Sequence, residues 1–188
     1  CTLNPLVAWR GATVSVPTLL SNGNTQFDTG TNAVKAVISS SIGVSSGKWY
    51  CELKTLETDR MWIGIINKQF YTSNTNNFWT TMDNYAWYLG KNGPWLNSGN
   101  PESGGSKTGS VTNETNFGTN PLTNHGEVFF MQGDSSTAGT SNAQWNFGNP
   151  FFSISSGNSD GNGYGDFEYT VPSGYYALNS KNLAEYGG

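Results

Sequence analysis

With 188 residues and a net charge of −4, the chain has room for one ordinary domain with a real core, since domains of roughly 100–200 residues bury about 70% of their unfolded surface. Its nine Lys and Arg are scattered and its pI is near 4.8, which argues against a nucleic-acid partner, because phosphate binding needs clustered cations. No apolar run approaches the roughly 18–20 residues that span a bilayer, which argues against a membrane, and the low charge with abundant Gly, Asn, Ser and Thr suits short strands and many turns rather than helices.

In chain order, Thr13 to Val16, Gln26-Phe27 and Val34 to Ile38 read as short strands, separated by the turn residues Ser21-Asn22-Gly23-Asn24 and Asp28-Thr29-Gly30. The next strand is the clearest. Trp49, Cys51 and Leu53 fall on one face of an extended segment and Tyr50, Glu52 and Lys54 on the other, the period of a half-buried strand. Asp59 to Ile66 follows, and then Tyr85 to Leu89 between Asp83-Asn84 and Gly90-Lys91-Asn92-Gly93-Pro94. Residues 97–124 are almost wholly Gly, Ser, Thr and Asn and read as a long loop or a weakly paired excursion, because too few apolar side chains offset the entropy of ordering them. Glu127 to Met131, Ala143 to Phe147, Phe151 to Ile154 and Phe167 to Val171 complete the series. No capped amphipathic helix is visible. The expected fold is a single antiparallel all-β sandwich over residues 1–188, with little or no helix.

The wording Gly47-Lys48-Trp49-Tyr50-Cys51-Glu52 resembles the signature strand of SPRY domains, and Asp59-Arg60-Met61-Trp62-Ile63-Gly64-Ile65-Ile66 is similar to the strand that follows it in that family. Asn146 to Phe151, Asp160 to Phe167, Pro172 to Tyr175 and Ala177-Leu178-Asn179 resemble the closing segments of SPRY-like domains in bacteriophage structural proteins. The resemblance is poorest over 97–124, where neither the usual apolar strand nor the following Phe-Tyr-x-Asn-Gly hairpin is recognisable. It implies a concanavalin-like, jelly-roll sandwich that makes non-covalent contacts in a virion, as part of a tail fibre, a receptor-binding protein or the head surface. The partners so implied are other virion proteins, further copies of the chain, or a glycan or protein of the host surface.

Chemistry is sparse. His125 is the only histidine and has no partnered Ser or Cys motif, so a hydrolytic triad lacks support. A glycan-cleaving sandwich would need two carboxylates about 5–10 Å apart in one cleft. Among the carboxylates Glu52 is on a strand, where Lys54 on the same face makes a surface ion pair the simpler reading. The expectation is a binding module and not an enzyme, with glycan cleavage as its rival. Asp160, Asn162 and Asp166 alternate like calcium-loop ligands, but Val171 stands where the bidentate Glu would be, and Gly-Asn-rich turns form without a metal. Polar sequence carrying Tyr71, Trp79, Tyr88 and Trp95 has the composition of a sugar- or protein-binding surface, with Trp79 and Trp95 in turn-like sequence as the exposed anchors. Cys1 and Cys51 are the only cysteines; a chain that starts at Cys reads as a processed product or a segment, and Cys51 reads as a small buried hydrophobe.

Overall fold

Apolar residues recurring at every second position need a sheet to bury them, and two packed sheets bury them here. The computed structural model describes residues 1–10, 20–29, 36–58, 61–67, 86–90, 95–97, 100–102, 126–134 and 141–186. These residues form strands β1 (Leu3–Arg10), β2 (Leu20–Ser21), β3 (Gln26–Asp28), β4 (Ala36–Ser40), β5 (Trp49–Tyr50), β6 (Glu52–Thr58), β7 (Met61–Asn67), β8 (Ala86–Gly90), β9 (Trp95–Asn97), β10 (Asn100–Glu102), β11 (Val128–Asp134), β12 (Ser141–Asn146) and β13 (Tyr176–Ala177), with one short helix, α1 (Ser180–Tyr186). The protein is an all-β sandwich. A seven-stranded antiparallel sheet runs β1-β4-β11-β7-β8-β9-β10, a four-stranded antiparallel sheet runs β2-β3-β12-β6, and β13 adds a parallel pairing to β5.

The strand sequences explain their places. β4 is buried at every position and lies between β1 and β11, so its Ala-Val-Ile run needs no polar alternation. β12 alternates instead: Ala143 and Trp145 are buried while Asn142 and Gln144 are half-buried on the outer face. The core joins Leu3, Phe27, Ala36, Ile38, Trp145, Phe147 and Leu178, with the Trp145 and Phe147 rings stacked at 5.4 Å. Among the described residues a polar side chain crosses it. Gln132, fully buried on β11, donates from Nε2 to the Phe27 carbonyl (3.2 Å) and the Ser141 hydroxyl (3.0 Å), and its Oε1 accepts from Trp145 Nε1 (2.8 Å), tying the large sheet to the small one.

The alternation read from Trp49 to Lys54 is realised. Trp49, Cys51 and Leu53 pack against the main core, and Tyr50 goes the other way to a second cluster, meeting Phe167 edge-on at 5.0 Å. Cys51 and Cys1 are both free thiols, and burial followed by the charge of Glu52 pushes the Cys51 thiol far above its ordinary value. Trp49 is half-buried, and its Nε1 donates to the Ser46 carbonyl at 2.7 Å. Trp49→Ala should therefore cost about 2–3 kcal/mol in urea unfolding, below the usual figure for a fully enclosed Trp; a loss under about 1 kcal/mol would remove Trp49 from the core.

Several expectations are corrected. Phe151 to Ile154 and Phe167 to Val171 are not strands; this part of the chain turns repeatedly, and Asn158 and Phe167 exchange two backbone bonds of 2.8 Å to close one loop. The cause is local. Gly148 and Gly165 take positive φ (113° and 94°) where they pass each other, and a Cβ on Gly165 would fall 2.2 Å from the Phe167 ring. β1 was not expected, because Pro5 and a register shift between Leu3 and Ala8 break its period. α1 was not expected either: it has seven residues, and Asn179 Oδ1 caps it by accepting from the Asn182 amide at 2.9 Å. Part of the 97–124 run is paired, since Asn100, Pro101 and Glu102 stand opposite Asn97, Leu96 and Trp95, whereas 103–124 lies outside the described residues. The strand expected at Thr13 to Val16 also lies outside them.

Candidate binding face

On the four-stranded sheet, Leu20, Phe27, Trp145 and Leu53 face the core, so their strand neighbours face outward. Register aligns four of these outward residues in one row: Ser21 opposite Gln26, Gln26 opposite Gln144, and Gln144 opposite Lys54. The amides in and beside that row are locked to one another. Gln26 Oε1 accepts from Asn22 Nδ2 (2.6 Å) and from Gln144 Nε2 (3.0 Å), Gln26 Nε2 donates to Asn142 Oδ1 (2.9 Å), and Asn142 Nδ2 donates to Asp28 Oδ2 (3.0 Å). At the end of the row Lys54 Nζ lies 5.5 Å from the centroid of the Phe152 ring.

A hydrogen-bonded loop layer borders this face. Glu52, next outward on β6, fills both carboxylate oxygens: Oε1 accepts from the Tyr50 hydroxyl (3.0 Å) and the Tyr169 amide (2.9 Å), and Oε2 from Asn146 Nδ2 (3.1 Å) and the Glu168 amide (3.1 Å). This corrects the expected ion pair with Lys54, whose cation goes to Phe152 instead. Burial, then the hydrogen bond and charge of Glu52, drive the Tyr50 phenol well above its ordinary value. Glu168 accepts from the Ser155 hydroxyl and from the Ser155 amide (2.8 Å), and these bonds hold its carboxyl below the usual range. Asn158 Nδ2 donates to the Glu168 carbonyl at 3.0 Å. Two large side chains project from the pinned layer, Phe151 at 63% exposure and Tyr169 at 71%.

Of the residues singled out from the sequence, those that are described belong to other parts of the fold. Tyr71 and Trp79 lie outside the described residues. The backbone of Trp95 is in β9, not in a turn, because the Gly93-Pro94 signal precedes a short strand; Tyr88 is in β8 one register step away, since Trp95 stands opposite Leu89 and Leu96 opposite Tyr88. Asp160 is buried, and its oxygens are committed to N–H donors: Oδ1 to the amides of Asn162 and Tyr164 (2.9 Å each), Oδ2 to the Ala177 amide (2.9 Å) and Asn182 Nδ2 (2.7 Å). Desolvation by itself would raise this carboxyl, but those bonds outweigh it and hold the group below its ordinary value. Asn162 Nδ2 donates to Asn182 Oδ1 at 2.9 Å, so Asp160 and Asn162 organise the 160–164 turn and the start of α1, while Asp166 is exposed. Among the described residues no group of three or more His, Cys, Asp or Glu is placed to hold a metal.

What sequence reading missed is the amide row and the two exposed rings. The signal for the row was present in Asn142-Ala143-Gln144-Trp145, where amides alternate with core residues. Phe151 and Tyr169 were hidden because aromatic runs read as strands. No protein-family model, curated protein or solved structure matches the chain.

Proposed function

We propose that this protein is a non-enzymatic binding module of a phage virion, making contacts with the host surface or with neighbouring virion subunits as part of a tail fibre, a receptor-binding protein or the head surface. The observation that carries the binding role is the pair of exposed aromatics, Phe151 and Tyr169, on a layer fixed by Glu52 and Glu168. Exposed rings carried on a tethered backbone can be buried against a partner with little loss of backbone freedom, which suits a binding anchor. The resemblance of the Gly47 to Glu52 and Asp160 to Phe167 segments to SPRY-like phage proteins supports the virion setting. Support for binding over glycan cleavage comes from the carboxylates: Glu52, Asp160 and Glu168 take bonds from their own fold, whereas a general acid and its partner need free oxygens aimed at substrate.

Antibodies against the purified chain should label purified particles of the phage that encodes it, seen by immunogold electron microscopy. Particles that carry none of the protein overturn the virion role. Incubation of the chain with host-surface polysaccharide should release no reducing ends, and their steady release would establish the rival reading.

A further inference from the structure

We infer that the outer face of the four-stranded sheet is a subsite for an uncharged oligosaccharide, laid along the row Ser21, Gln26, Gln144 and Lys54 with Phe151 and Tyr169 bordering its end. This deepens the binding role proposed above and rests on it. Three properties of the face select that ligand. First, its polar groups are mostly neutral amides that offer both donors and acceptors, as the hydroxyls of a sugar do. A phosphate or carboxylate ligand would need cations; the row has only Lys54, whose head group already lies over the Phe152 ring, and Asp28 lies beside it. Second, the amides are pre-oriented. Gln26 and Gln144 hold each other at 3.0 Å and Asn22 and Asn142 brace them, so a ligand meets fixed partners rather than free rotors. Among the described residues no donor reaches Gln144 Oε1, which leaves an acceptor for a ligand hydroxyl at the centre of the row. Third, the spacing suits a chain of sugars. Adjacent strands lie about 4.7–4.9 Å apart, so the row across four strands extends for roughly 15 Å, enough for several sugar units, and it ends at Lys54 beside the loop layer that carries Phe151, Phe152 and Tyr169, aromatic side chains of the kind on which the apolar faces of a sugar can stack.

Calorimetric titration of the whole chain with maltohexaose, cellohexaose and the hexamer of N-acetylglucosamine tests this directly. At least one should bind with a dissociation constant on the order of 1 mM or tighter. Gln144→Ala and Phe151→Ala should each weaken that binding by about tenfold or more while thermal melting stays near that of the parent. Phe151 is exposed, so its variant gives a reading even where Gln144→Ala disturbs the sheet. The inference is overturned if none of the three sugars binds, if binding survives both substitutions, or if polygalacturonate binds more tightly than every neutral probe. Host-cell binding that persists after periodate destroys surface sugars would mean a protein ligand; that result removes the oligosaccharide subsite but leaves the binding role standing.

Discussion

Trp145→Ala should cost about 4 kcal/mol or more, a large share of the roughly 5–15 kcal/mol that holds a domain of this kind together. The residue is 3% exposed, stacks on Phe147 at 5.4 Å and touches Phe130 at 6.2 Å between centroids, so truncation opens a cavity where the two sheets meet. It also strands a polar atom. Gln132 Oε1 accepts its one described bond from Trp145 Nε1, and without it a fully buried carbonyl oxygen faces hydrocarbon, a penalty of about 1–3 kcal/mol. Trp145→Phe separates the two effects: it keeps a ring against Phe147 and removes the donor, and should cost about 1–3 kcal/mol. Urea unfolding of both variants checks this, and an Ala variant that loses under about 2 kcal/mol would contradict the role given to Trp145 between the sheets.

Much of the sandwich was legible because its strands obey the period that burial on one face imposes. Trp49, Cys51 and Leu53 share the core side of the extended run that passes from β5 into β6, and Ala143 and Trp145 do the same on β12, so a sequence pattern and a packed layer are the same fact. The C-terminal third was read less well. From Gly148 to Tyr175 the fold is held by side chain to backbone bonds, such as those of Glu52 to the Glu168 and Tyr169 amides, which join residues more than a hundred positions apart and leave no periodic trace. The ambiguity at Asp160 has a sharper cause. An aspartate that accepts from amides two and four residues ahead and an aspartate that ligates calcium both put a short oxygen side chain inside a Gly-rich loop, so the two give similar sequences. The candidate face was legible only in part: Asn142 and Gln144 alternate with core residues along one strand, but Gln26 is far away in sequence and strand register alone brings it opposite Gln144.

Asp160→Asn should loosen the whole C-terminal cap and remove one acid-sensitive contribution to stability. The carboxylate joins the 160–164 turn, β13 and α1, and it does so as an acceptor on all four bonds. Asn offers a single acceptor oxygen, and its amide group would point N–H at N–H; with the Ala177 amide and the Asn182 side chain both buried, the loss should be about 3 kcal/mol or more. Hydrogen exchange should speed up first at the Ala177 and Tyr164 amides. The dependence on pH follows from the direction of the shift. Because the folded carboxyl lies below its ordinary value of about 3.9, its stabilisation is complete above the unfolded value and is lost as pH falls through the folded one. The stability gap between parent and Asp160→Asn should therefore be constant above about pH 5 and narrow as the solution is acidified below about pH 4. Chemical denaturation of both proteins across that range measures the gap directly. A variant that unfolds at the same denaturant concentration as the parent near neutral pH, or a gap that widens in acid, would show that Asp160 is not the organiser of this cap.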